Sequence, residues 1–302
     1  MQTTISDEIS FSGKGVHTNK VSNLTLVPAK EDTGIIFRRL DSSENKSIIN
    51  ATYDNVKSTH YCTELSNSFG TSILTVEHLL AALSGSGIDN VEIKIDGPEV
   101  PILDGSSRIF IDAINKYKKI LNKPKNIIRI KEKIEITENR SYACFEPADS
   151  LIVDAEINFD HVLIGKQKME MLINAETFYD ELSRARTFGF LKHAERLQAR
   201  GFGLGVNLSN AIVLTEKTIM NIEGLIYDNE FIRHKILDIC GDLKLAGYDI
   251  IGKYTSIFGG HNLNYFALKN LFENPHAWVL EELDEHIDSS SQSNNLQKIV
   301  NH

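Results

Sequence analysis

The sequence predicts an α+β fold made of two similar β-α-α-β layer units packed together, with a ligand site between them. Two observations carry this. The chain has 302 residues, which suits two domains of ordinary size. Two stretches also follow one plan. Residues 75–83 read as a helix that stops near Gly85 and Gly87, then Asp89 leads into a strand at Val91. Residues 228–246 read as a helix that stops at Gly247, then Asp249 leads into another strand. Each stretch continues through a loop to a second helix, and each first helix carries a histidine. A site between the copies would draw residues from both histidine helices. The expected limits are 1–123 for the first unit and 127–285 for the second, with a glycine-rich insert over about 188–213. The stretch from about Glu281 is acidic, then Ser/Asn/Gln-rich, and is expected to fray, with 286–302 as a polar tail.

Composition narrows the class. Hydrophobic residues make up 41% and charged residues 24%, a balance that builds a core rather than a disordered chain. A formal charge of −9 argues against a nucleic-acid partner, which wants a basic face. It leaves room for an anionic small molecule in a locally basic pocket. Cys62, Cys144 and Cys240 are odd in number and widely spaced, so they suggest neither a disulfide framework nor a zinc ribbon, and a reducing cytoplasm fits. No charged-then-apolar leader and no long apolar run is present, so neither a signal peptide nor a membrane span is expected.

The first unit opens with two strands, over 4–11 and 21–26, joined by a loop in which Gly13 and Gly15 flank Lys14 and His17 sits in a turn. His17 there either lines a site or is simply solvated. Further strands are expected at 35–38 and 48–51. Thr75 is a candidate N-cap for the helix that carries Glu77 and His78, with Val76, Leu79, Leu80 and Leu83 as its apolar stripe. A buried histidine in that place is usually a hydrogen-bonded core residue, and the pattern is not that of a zincin helix. Residues 91–95 alternate as a half-buried strand. After a Pro-Asp-Gly loop, Ser106 or Ser107 caps a helix with Ile109, Phe110, Ile114 and Tyr117 on its apolar side, and Pro124 marks a polar linker.

The second unit is expected to have strands over 127–136, 141–146 and 151–157 and a helix over 175–182. Gly201, Gly203 and Gly205 alternate with Phe202 and Leu204. No Lys-Ser/Thr follows, so this is not a phosphate loop. It reads as a place where backbone approaches another surface closely. In the 228–246 helix, His234, Asp238 and Asp242 stand four residues apart, and each step of four turns only about 40° round the axis, so they share a stripe. An imidazole and a carboxylate one turn apart suit zinc, with Asp242 as an orienting partner one turn on. A surface helix with i,i+4 polar pairs explains the same spacing. His261 follows Gly259 and Gly260 at the mouth of a last helix.

Taken together, five blocks resemble the zinc-dependent UDP-3-O-acyl-N-acetylglucosamine deacetylases, the bacterial family that commits material to lipid A. They are Thr75-Val76-Glu77-His78-Leu79, Pro101 to Ser106, Ser183 to Phe190, His234 to Asp238 with Gly241-Asp242-Leu243, and Gly260-His261 with Leu263-Asn264. The resemblance runs from about residue 3 to residue 275, in order and with matching gaps. It implies two α+β sandwiches packed face to face around the site, in agreement with the repeat. It implies one catalytic Zn2+ held by His78, His234 and Asp238, with a position open to water. Glu77 would be the general base, Thr187 an oxyanion partner beside the metal, and His261 the cation that protonates the leaving amine. Asp242 would orient His261, and Lys235 would reach the substrate's diphosphate. Phe188, Phe190 and the stretch around Gly203 would line the acyl channel, with Phe159 and His161 at the uridine end. The implied partner is a UDP-linked acylated N-acetylglucosamine, handled by a cytoplasmic monomer.

Two places depart from the family pattern. Cys62 is followed by Glu64, where a second cysteine is common, and Ser256-Ile257-Phe258-Gly259 replaces a more polar loop before His261. A zinc amidohydrolase of the same fold acting on another acetylated substrate is the nearest alternative. A non-catalytic sugar-lipid binder is the third, and it has no need of Glu77 or His261.

Overall fold

The computed structural model describes residues 1–283. The end of the second expected unit and the expected polar tail at 286–302 lie outside the described residues. Among the described residues the fold is mixed α+β, with several sheets and six helices. A five-stranded sheet runs in the order Ile9–Lys14, Val21–Pro28, Val91–Ile95, Ile35–Arg39, Ile48–Asn50. Alternation in Val91–Ile95 buries Val91, Ile93 and Ile95 and leaves Glu92 and Lys94 half-exposed, as a sheet with one covered face requires.

The second large sheet has seven strands and is centred on Asp249–Ile257. One edge of that strand is shared. Residues Ile127 to Arg129 pair with Asp249 to Ile251, and Leu151 to Glu156 pair with Gly252 to Ile257. Gly252 stands at the handover, where a Cβ would come within 2.6 Å of the Ile130 side chain. Three small sheets complete the described strands.

Between these sheets lie the helices Glu77–Gly85 and Glu230–Leu243, which pack on each other. Both are buried almost all round, the state expected of central rather than surface helices. Gly241 lets them touch, because a Cβ there would lie 2.1 Å from the Glu77 carbonyl oxygen. The buried apolar residues of both halves form one contiguous cluster through Leu79, Leu83, Ile236 and Leu243.

Several expectations change. Residues 4–11 divide into Thr3–Ile5 and Ile9–Lys14, and 127–136 divide into Asn126–Ile130 and Ile134–Glu138, because each apolar alternation is interrupted by a polar turn. Gly165–Leu172 is a further strand, paired with Leu151–Phe159. Its outward Lys166, Lys168 and Glu170 hid it. Thr75 does not cap the helix. It has φ +59, and its hydroxyl donates to Glu99 Oε1 at 2.9 Å. The Arg108–Tyr117 helix buries Phe110, Ile111 and Ile114, whereas Ile109 and Tyr117 face out. The acidic run at Glu281 and Glu282 is not frayed; it ends the strand Trp278–Glu282, which pairs with Asn126–Ile130. The linker carries more than polarity, since Lys125 bridges Asp89 and Asp249 at 2.6 Å each with its side chain only 11% exposed.

Candidate active site

The two central helices bring His78, His234 and Asp238 together, all three buried, with one ligand-type atom from each within 4.8 Å of the others. His78 Nε2 and His234 Nε2 stand 3.6 and 3.4 Å from Asp238 Oδ1, and the rings meet edge to face. His234 Nδ1 lies 3.0 Å from the Ala185 carbonyl oxygen. That contact makes Nδ1 the protonated nitrogen and leaves Nε2 with a free lone pair. Burial pushes the His234 imidazole down to about 3, against the pull of Asp238, so the ring is neutral. Burial opposes ionisation of Asp238, yet neighbouring positive charge, with the Lys235 ammonium against Oδ2, holds its carboxyl well below the usual range.

Whether a cation fits can be read from one atom. Asp238 Oδ1 is buried and has no hydrogen-bond partner, a state that costs free energy in a dry interior. An imidazole nitrogen of His78 and one of His234 flank it. Two nitrogens and one carboxylate oxygen are the donor set of a catalytic zinc site with a free position. The residues fit the ion.

Glu77 precedes His78 in the first helical turn and is 3% exposed. Burial raises its pKa, opposed by the nearby His261 and His78 rings. Its Oε2 accepts the Thr63 N–H at 3.1 Å, and its Oε1 faces His261 Nε2 at 3.8 Å. On the far side of that ring, Nδ1 lies 2.8 Å from Asp242 Oδ2. Burial alone would discharge His261, but the Asp242 carboxylate, with help from Glu77, raises it to about 10. Asp242 also accepts from Asn264 Nδ2 at 2.8 Å and from the Thr63 hydroxyl at 2.6 Å. The site therefore holds a carboxylate and a charged imidazole on either side of one gap, next to the three-residue cluster. Such a pair can take a proton on one side and give one on the other.

Lys235 donates to Asp238 Oδ2 at 2.8 Å and sits over the Phe188 ring. It borders a narrow pocket shared with Asp238, Ile157, Ser256, Gly259 and Gly260. Of the loop before His261, Ser256 and Gly259 thus line the pocket next to Lys235. Thr187 is half-buried, its backbone fixed by the Gly105 carbonyl and the Ile212 amide at 2.8 Å each. Gly105 has φ +84, and a Cβ there would strike the Asn210 carbonyl oxygen. The neighbouring Ser107 ties this loop to the first helix by donating to the His78 carbonyl at 2.8 Å.

Phe159, His161, Phe188 and Phe190 form one aromatic group, and Phe188 reaches His234 with ring centres 6.2 Å apart. His161 Nε2 donates to the Thr215 carbonyl and Nδ1 accepts from the Leu163 amide. Both nitrogens are thus used by the protein's own backbone, and the buried ring packs against Phe190. Gly203 lies elsewhere, on the His17 turn. Its amide donates to His17 Nδ1 at 3.2 Å, and Phe202 packs edge-on against His17 and Tyr61. A Cβ on Gly205 would lie 2.3 Å from the Gly15 carbonyl oxygen, so the glycine alternation serves a close backbone approach. His17 is accordingly a docked residue, not a solvated one.

Sequence reasoning gave no role to Thr63, Asn264 or Glu99. Glu99 is wholly buried and accepts the amides of His17 and Thr18 at 2.8 and 2.7 Å, which fixes that turn. A buried glutamate between two prolines was the available signal. Glu64, at the position where the family often has cysteine, pairs with Lys57 at 2.9 Å. Cys62 is buried, and burial beside Glu77 pushes its thiol far up, so it stays protonated.

Comparisons with known proteins converge. A family model described as LpxC, UDP-3-O-acyl N-acetylglycosamine deacetylase, matches residues 2–273. A UDP-3-O-acyl-N-acetylglucosamine deacetylase of Haemophilus influenzae (strain PittEE) is 42% identical over 280 residues, covering 92% of each chain. That of Wigglesworthia glossinidia brevipalpis is 41% identical over 281 residues, covering 92% of this chain and 94% of its own. That of Syntrophus aciditrophicus (strain SB) is 40% identical over 279 residues, covering 92% of this chain and 88% of its own.

Proposed function

The chain belongs to the UDP-3-O-acyl-N-acetylglucosamine deacetylase family, and on that premise we propose how its buried cluster works. The enzyme removes the N-acetyl group from a UDP-linked 3-O-hydroxyacyl-N-acetylglucosamine, giving acetate and the free amine, the committed step of lipid A biosynthesis. The observation that carries the reading is the Glu77–His261 gap of 3.8 Å beside His78, His234 and Asp238. His78, His234 and Asp238 would hold one Zn2+. The ion supplies Lewis acidity, which acidifies water and polarises a carbonyl oxygen.

Hydrolysis forms one C–O bond and breaks one C–N bond. Glu77 takes a proton from the attacking water through Oε1, the oxygen not bound by Thr63. His261, charged through Asp242, gives a proton from Nε2 to the departing amine nitrogen. Asp242 holds Nδ1 and keeps the ring aimed. Thr187 contributes its hydroxyl to the developing oxyanion, a stabilisation that acts only as charge appears. Lys235 meets the anionic part of the substrate from the pocket wall. Phe188 and Phe190 give the acyl chain an apolar wall, with the stretch around Gly203 further out. Phe159 and His161 border the uridine.

The fold is read as a two-domain sandwich of two β-α-α-β units, divided near residues 123–127. The repeat is supported by Asp89 and Asp249, which occupy equivalent points after the two central helices and both meet Lys125. A cytoplasmic monomer is the simplest setting; three buried, unpaired cysteines and the absence, among the described residues, of any helix long and apolar enough to cross a membrane accord with it.

The test is metal content together with acetate release from the UDP-linked substrate, for wild type and Glu77→Ala side by side. One zinc and turnover in wild type, with metal kept and turnover lost in Glu77→Ala, is the expected result. Zinc binding without hydrolysis of this substrate would overturn the substrate and favour the same-fold amidohydrolase.

A further inference from the structure

Thr63 touches both carboxylates of the proton-transfer pair. It is 1% exposed and precedes the short strand Glu64–Ser66. Its amide donates to Glu77 Oε2 at 3.1 Å, and its hydroxyl donates to Asp242 Oδ1 at 2.6 Å. Asp242 Oδ2 in turn lies 2.8 Å from His261 Nδ1, and His261 Nε2 faces Glu77 Oε1 across 3.8 Å. The four residues form a closed ring. Each carboxylate has one oxygen committed to Thr63 and the other turned to His261.

The last torsion of Glu and Asp side chains is broad and roughly two-fold, so a carboxylate held at one oxygen alone can swing. A second, charge-assisted hydrogen bond removes that freedom. Backbone around Thr63 points the same way. Thr75 takes φ +59, a left-handed conformation that a β-branched side chain adopts only under strain. Strain of this kind gathers at functional sites. From there the Val76 amide reaches back to the Thr63 carbonyl at 3.4 Å, which seats Thr63 against the start of the Glu77 helix.

We infer that Thr63 is a positioning residue: by bridging Glu77 and Asp242 it fixes the orientation of base and acid across their gap, without touching substrate or metal. The inference rests on the reading of Glu77 and His261 as that pair. A displacement of about 1 Å in such a pair costs on the order of 100-fold in rate.

Thr63→Val keeps the shape and removes the hydroxyl, and Thr63→Ser restores it. With the full-length, zinc-loaded enzyme, Thr63→Val is expected to lower kcat by ~10–100-fold, with KM and zinc content within about twofold of wild type. Thr63→Ser should recover kcat to within about threefold. The His261 ring nitrogen resonances should shift in Thr63→Val and return in Thr63→Ser, a readout independent of turnover. A Thr63→Val enzyme with wild-type kcat and unshifted His261 resonances would overturn the inference. So would equal losses of kcat and zinc in both variants, which mark a purely structural residue. Should Thr63→Val fail to fold, Thr63→Ala replaces it in the same comparison with Thr63→Ser. Glu77→Gln and His261→Gln are assayed alongside. If they turn over normally, the acid–base reading itself fails. If they are inactive while Thr63→Val is normal, only the role of Thr63 falls.

Discussion

At the scale of single residues, the pair across the gap has a pH signature. Glu77 is held above the ordinary carboxylate range, chiefly by burial, and in the proposed mechanism acts only when ionised. His261, raised to about 10, acts in that mechanism only when protonated. The rate should therefore climb as pH rises through the raised value of Glu77 and fall as pH passes about 10. His261→Gln should remove the alkaline fall and cost roughly 100- to 10,000-fold in kcat, the usual worth of a placed acid. A wild-type rate that stays flat above pH 10 would deny His261 the role of acid. The shared stripe of His234, Asp238 and Asp242 could be read from their four-residue spacing, whereas the roles of Glu77 and His261 came from the resemblance of their motifs. The spacing could not say that Lys235 pairs with Asp238 Oδ2, or that His161 spends both nitrogens on backbone. Those partners come from distant segments.

At the scale of elements, the contact between the two central helices depends on Gly241. Gly241→Ala puts a methyl 2.1 Å from the Glu77 carbonyl oxygen, where helix backbone must give way. It should destabilise the fold by about 1–3 kcal/mol and weaken zinc binding, checked by thermal melts with and without metal. Stability unchanged with zinc still bound would mean that the helices separate at no cost. The other link is ionic. Lys125 is held strongly charged by Asp249 and Asp89 against its burial. Asp249 is also 2.7 Å from Lys244, and against partial burial Lys125 and Lys244 hold its carboxyl far below the ordinary value. A depressed folded-state pKa adds stability that is present above the unfolded value of 3.8 and is lost as pH falls through the folded one. Lys125→Met breaks a buried network on one side and should cost about 3–5 kcal/mol at neutral pH. Urea denaturation measures it, and an unchanged midpoint would remove Lys125 as a link. The sequence showed this stretch only as a polar linker, since nothing local tells a solvated lysine from a buried one.

At the scale of the whole molecule, the proposed zinc ligands come from two helices far apart in the chain, which makes the folded state the binding-competent state. An ion that binds only the folded protein stabilises it by about 2.7 kcal/mol at 100 times its dissociation constant. Chelation should lower the thermal midpoint and zinc should restore it. Asp238→Ala should lose that response, whereas Glu77→Ala should keep it. A zinc-dependent midpoint in Asp238→Ala would displace Asp238 from the ligand set.

The sequence by itself determined the α+β class, and its motifs singled out the two histidine helices with His78, His234 and Asp238, which the fold brings together. Helical and strand periodicity and the order of motifs are local properties, and a 1–302 string contains them in full. Only the tertiary structure decided which strands share the edge of Asp249–Ile257, why Gly241 must be glycine, and where Thr63 and Glu99 belong. These are matters of distance between segments up to 179 residues apart, such as Thr63 and Asp242. Burial then sets their charge states, and burial exists only once the chain has closed on itself.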